Sequence, residues 1–107
     1  MAKKKLSTRS ARRAGERAAV KLTQDLDKLA RLEPGGSPER PLPLESASQV
    51  EVTARGKPCP LCRGELRLEE HAAESIRGAR LRVARMMCVA CGGRRELWFR
   101  LSAEMLN

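Results

Sequence analysis

The chain has 107 residues, a formal net charge of +9, one tryptophan, one phenylalanine and no tyrosine. That length admits one modest domain with tails, and so few large side chains leave little material for a core. No stretch reaches the roughly 18 apolar residues of a membrane span, and no apolar run follows the basic start MAKKKLSTRSARR. Neither a membrane partner nor a secretory leader is read. The expected location is the cytoplasm, where reduced thiols point to metal or redox chemistry rather than disulfides.

The charge is uneven. Residues 1–33 carry ten basic and four acidic side chains, residues 34–57 three of each, and residues 58–107 nine and six. The surplus therefore sits mostly at the N-terminal end, where it favours encounter with nucleic acid or another polyanion without specifying a sequence.

Residues 1–33 read as a basic extension, helical or partly unstructured. Ser7 or Ser10 would cap a helix running to Leu32, and Ala, Leu, Lys, Arg and Gln follow in quantity. Ala11, Ala18, Leu22, Leu26 and Leu29 fall on one thin stripe that also holds Gly15. Lys3, Lys4, Lys5, Arg9, Arg12, Arg13 and Arg17 crowd the front. The segment reads either as a solvated tail or as an electrostatic arm. An isolated helix of this length is marginal in water.

Residues 34–48 read as a linker. Four of the six prolines fall between Glu33 and Ser48, and proline removes amide donors, so no helix or strand is expected there.

Residues 49–107 contain what looks globular. VEVTA (50–54) alternates like a short strand. ELRLE (65–69), ARLRVARMM (79–87) and RELWFRL (95–101) alternate too, with a turn over HAAESIRG (71–78) ending in a glycine suited to a positive φ.

All four cysteines lie in two matched pairs, PCPLC at 58–62 and CVAC at 88–91. Two cysteines separated by two residues share a tight turn and can present both sulfurs to one ion. A second pair brought alongside by a hairpin completes a tetrahedron with metal–sulfur bonds of about 2.3 Å. Cys59, Cys62, Cys88 and Cys91 are thus the candidate ligands. The 25 intervening residues exceed the usual spacing of about 15–20, an excess that a long turn over 71–78 would absorb. Gly64, Gly92 and Gly93 follow the pairs, where amides must approach sulfur. A thioredoxin-type redox pair would need a βαβ context that this stretch lacks, whereas iron also accepts four thiolates.

CPLCRG and CVACGG resemble the two knuckles of a zinc ribbon over residues 57–102. The second matches the usual glycine after its last cysteine. The first places Arg63 there and glycine one residue later. The resemblance implies a three-stranded antiparallel sheet around one structural zinc ion, with functions ranging from nucleic-acid binding to protein docking. So small a core would be marginal without metal, and structural zinc contributes on the order of 10–16 kcal/mol in comparable peptides.

Period-two alternation assigns Leu66, Leu68, Leu81, Val83, Leu97, Phe99 and Leu101 to one core face. Arg67, Arg80, Arg82, Trp98 and Arg100 would then share the other face, and Arg85 would fall on the core side. A ring among arginines suits single-stranded nucleic acid, with Arg12 and Arg13 adding affinity from the arm. Alternatively these arginines pair with Glu65, Glu69 and Glu96, or Trp98 and Met86 form a protein-docking patch. Four sulfur ligands leave a metal no open position, and the lone His71 beside Glu69 and Glu70 reads as a turn residue. The expectation is a binding module, not an enzyme, with no small-molecule substrate. It would contact nucleic acid through arm and sheet, or act as an adaptor with ribbon and helix docking separate proteins.

Overall fold

The computed structural model describes residues 8–102. The expected Ser7 cap and the lysines at positions 3, 4 and 5 lie outside them. In chain order the elements are α1 (Thr8–Leu32), β1 (Leu42–Leu44), α2 (Ser48–Arg55), β2 (Leu66–Ile76), β3 (Ala79–Cys88) and β4 (Arg94–Leu101).

The strands form one sheet in the order β1-β4-β3-β2. The pairs β2–β3 and β3–β4 are antiparallel, but β1 runs parallel to β4. The expected three-stranded antiparallel sheet is therefore corrected to a four-stranded mixed one. Its extra strand comes from the proline-rich stretch that had seemed unable to supply one. Leu42 and Leu44 pair with Phe99 and Leu101 and pack against the core, while Pro43 between them is exposed. Proline, lacking an N–H, is tolerated on an edge strand.

VEVTA is also corrected: it is helical, within α2. Val50 and Ala54, one turn apart, are fully buried, whereas Val52 is 74% exposed. The helix packs on β2 and β3. The Gln49 Oε1 atom accepts the Glu45 amide at 2.9 Å and the Ser46 amide at 3.3 Å, shaping the turn into the helix.

The β2–β3 connection is shorter than expected. Arg77 (φ +50°) and Gly78 (φ +83°) form a two-residue turn with both residues left-handed, the geometry that matches strand twist. The length between the cysteine pairs goes into strands instead, since residues 71–76 belong to β2.

Within β2 a register shift between Leu68 and Glu70 reverses which side chains face which way, while the pairing of Arg82 with Phe99 and of Val83 with Trp98 puts Leu81 and Val83 on the face opposite Leu97 and Phe99. On one face Leu66, Ala84, Met86, Cys88, Leu97, Phe99 and Leu101 join Val50 and Ala54 in the main core. Leu81 and Val83 lie on the opposite face with Trp98, beside Ala72 and Ile76. The single core face expected from alternation is thus divided between two.

Helix α1 is about 37 Å long at 1.5 Å per residue, and Ala30 is its only buried residue. Its exit is held tightly. The Trp98 amide donates to the Gly35 carbonyl at 2.7 Å, and Arg40 Nη1 donates to the Leu32 carbonyl at 3.1 Å. Gly36 is required here, because a Cβ would sit 2.0 Å from the Ala30 oxygen. Arg95, its side chain 8% exposed, donates to Glu33 Oε2 and to the Pro58 carbonyl, each at 3.2 Å, and so ties the helix exit to the first cysteine turn.

Candidate metal centre

The two cysteine turns have the same backbone plan. In the first, the Cys59 amide donates to the Gly64 carbonyl at 3.0 Å and the Arg63 amide to the Cys59 carbonyl at 2.9 Å. In the second, the Cys88 amide donates to Gly93 at 2.8 Å and the Gly92 amide to Cys88 at 3.0 Å. The residue after the last cysteine is left-handed in both turns: Gly92 at φ +74° and Arg63 at φ +66°. The departure noted at Arg63 is therefore one of residue type only, since the conformation is retained.

Pairing of Leu66 with Cys88 across the hairpin sets the turns side by side, and the Val89 amide closes onto the Glu65 carbonyl at 3.0 Å. The four sulfurs lie within 4.8 Å of one another. Cys59 and Cys91 sulfurs are 3.7 Å apart, and those of Cys62 and Cys88 3.4 Å. A tetrahedron with bonds of about 2.3 Å has sulfur–sulfur edges of about 3.8 Å, so the set fits one metal ion.

Amides surround the sulfurs. Leu61, Gly64, Ala90 and Gly93 each donate to a cysteine sulfur at 3.4 Å, and Cys91 donates to Cys88 at 3.5 Å. Cys59 and Cys88 are buried, whereas Cys62 and Cys91 face solvent. The Cys91 amide draws the Cys88 thiol down to about 6, against the desolvation of its buried position and with help from the Ala90 amide. At Cys62 the Gly64 amide favours the thiolate. The crowding sulfurs of Cys88 and Cys91 oppose it, and the thiol is pushed up to about 12. Four thiols this close cannot all ionise unless a cation joins them.

The arginines expected on one sheet face are separated. Trp98 pairs with Val83 and Arg67 with Met87, placing Trp98, Arg67 and Arg100 on one side. Arg82 pairs with Phe99, so Arg82 and Arg80 lie on the other. Trp98 is only 5% exposed and its ring offers no stacking surface. Met86 is buried on the face opposite Trp98, so these two form no docking patch. Arg12 and Arg13 are exposed on α1, and His71 lies within β2, paired with Ala84, not in a turn.

The alternation did not reveal the ion-pair group around Arg85. Its guanidinium meets Glu74 at 2.6 Å, Glu96 at 3.1 Å and Glu70 at 3.4 Å, chiefly because the register shift moves Glu70 and Glu74 onto its face. Glu74 is the main cause of its raised pKa. An open cleft of about 790 Å³ lies between the end of α1, residues 36–39 and the sheet, lined in part by Arg31, Arg85, Arg94 and Arg95. Those four cations are already paired with carboxylates.

No known protein family, curated protein or solved structure matches the chain. No helix among the described residues is long and apolar enough to cross a membrane.

Proposed function

We propose that the chain is a zinc-ribbon binding module, extended by β1 and α2, in which Cys59, Cys62, Cys88 and Cys91 hold one structural zinc ion. It acts by binding rather than catalysis, and nucleic acid is its partner through the basic arm. The observation that carries this reading is an exposed α1 that leaves the body with its N-terminal cations free. Among the described residues Arg9, Arg12, Arg13, Arg17 and Lys21 form no ion pair, whereas Arg85, Arg94 and Arg95 on the sheet do. The stacking role expected of Trp98 is withdrawn on its burial, and the exposed sheet arginines are divided, Arg67 and Arg100 on the Trp98 face and Arg80 on the other.

Native mass spectrometry of the purified chain should find one zinc ion. Binding to pooled single- and double-stranded nucleic acid should weaken steeply between 50 and 200 mM salt, the mark of phosphate neutralisation. An intact metal-free fold, or no nucleic-acid binding at the lower salt, counts against the proposal.

One observation favours the adaptor reading. Leu22 and Leu29 are each about 60% exposed, in a stripe that an electrostatic arm does not require. A protein partner on that stripe would be displaced by Leu22→Asp and Leu29→Asp together and unaffected by nuclease.

A further inference from the structure

We infer that the arm takes B-form duplex DNA, with α1 lying in the major groove and Arg9, Arg13, Arg17 and Lys21 on the phosphates. This rests on the nucleic-acid reading above and names the form of the ligand.

Four-residue spacing places these cations in a row, each step advancing about 6 Å along the axis and the whole spanning about 18 Å. All four are exposed. One carboxylate, Glu16, stands beside Arg13 and Arg17; the next are Asp25 and Asp27, the latter paired with Arg31 at 2.9 Å. A regular line of charge complements a phosphate backbone.

Size agrees. A helix with its side chains is about 10–12 Å across, and the B-DNA major groove is about 12 Å wide. The other apolar side chains of this half are small, Ala11, Ala14, Ala18 and Ala19, apart from the exposed Val20 beside Arg17 and Lys21, and the leucines begin at Leu22. That half of α1 can approach a groove floor closely, and α1 makes no substantial packing with the sheet or α2 to block it.

Other polyanions fit less well. Single strands bind non-specifically by stacking on exposed rings, but Phe99 is fully buried and Trp98 nearly so. A-form RNA has a deep, narrow major groove that does not admit a helix. A bilayer surface calls for several bulky apolar residues along the basic helix, and between Arg9 and Lys21 there is a single one, Val20.

The test uses the zinc-loaded full chain with four fluorescent probes: a 20-base-pair DNA duplex, the matching single strand, the RNA duplex and a poly-glutamate peptide. The DNA duplex should bind at least tenfold tighter than each of the others. With four phosphates neutralised its affinity should fall about 150-fold between 50 and 200 mM salt, a log–log slope of about −3.6. Arg13→Gln with Arg17→Gln, checked for retained helicity by circular dichroism, should bring the slope to about −1.8. Equal or tighter binding of the single strand or RNA duplex overturns the groove assignment and leaves nucleic-acid binding standing. Preference for poly-glutamate overturns it in favour of an acidic protein. An unchanged slope in the double variant removes the row as the site. If no nucleic acid binds at 50 mM salt, this inference and the reading beneath it fall together.

Discussion

Gly64 sits where the metal centre has least room. A Cβ there would lie 2.8 Å from the Cys88 sulfur, 2.9 Å from the Ala90 methyl and 3.1 Å from the Cys62 sulfur. Comfortable non-bonded separations begin near 3.5 Å, so Gly64→Ala overlaps three neighbours at once. None can retreat freely: the Cys88 sulfur accepts the Ala90 and Cys91 amides, and Gly64 itself holds Cys62 and Cys59 through its amide and carbonyl. Overpacking of this kind costs about 1–3 kcal/mol. Where binding and folding are one event, this corresponds to zinc affinity weakened by about 5- to 150-fold. Competition with a chromophoric chelator measures the loss, and the visible spectrum of the cobalt form reports the sulfur geometry. Gly78→Ala is the control. It strains a φ of +83° at the hairpin tip with nothing within 4 Å, so it should cost stability but leave the cobalt spectrum unchanged. Zinc affinity within twofold of wild type for Gly64→Ala, with an unaltered cobalt spectrum, would refute the sulfur arrangement described above.

At Arg63 the same turn carries a side chain in a conformation that costs L-residues about 1–2 kcal/mol. Arg63→Gly should therefore stabilise the zinc form by about 0.5–1 kcal/mol after the extra freedom of the unfolded glycine is subtracted; a lower denaturation midpoint would contradict this. The thiols set a pH dependence. With its pKa held below 9.0, Cys88 contributes stability that is complete above about pH 9 and lost as pH falls through about 6. The raised Cys62 contributes in its protonated form, complete below 9.0 and lost as pH rises through about 12, so a metal must displace that proton. Zinc loading at pH 7 should release about three to four protons and weaken as pH falls. Calorimetry in buffers of different ionisation enthalpy counts them, and release of fewer than one argues against thiolate ligation. Arg85→Gln leaves Glu70, Glu74 and Glu96 facing one another, so the thermal midpoint should drop, and by less in high salt. An equal drop at both salt concentrations would mean that packing, not charge, is lost. Chelation should collapse the amide NMR dispersion of residues 58–102.

The metal centre was legible because its constraint is local. A pair of cysteines two apart dictates a turn, and two such pairs need only a hairpin between them. The faces of that hairpin were not legible, because alternation carries a register forward only until a residue is added. The irregularity around Glu69 reverses everything after it in β2, which is how Glu70 and Glu74 come to meet Arg85. VEVTA failed for a different reason. Val50 and Ala54 are separated by one helical turn and also by an even number of strand positions, so five residues fit both periods. Only burial decides between them, since Val50 is enclosed and Val52 is in solvent. In the proline-rich stretch, composition argued against a strand, yet Leu42 and Leu44 had apolar partners on β4 that no local signal reveals.

These features bear on how a basic helix with so few contacts can serve as more than a tail. A helix without tertiary support is marginal, so its direction depends on its exit. There Arg95 grips Glu33 and the Pro58 carbonyl, the residue directly before Cys59. Anything that orders the first cysteine turn therefore also orders the base of α1. The charges separate along the same line. One divalent ion with four thiolates would remove about two charges from residues 58–107, bringing the body towards neutrality while the arm keeps its surplus. An arm already aimed by the body loses less freedom when it meets a polyanion. On the proposed reading, a metal held by the four cysteines would strengthen binding by holding the arm's base in place, without touching the partner.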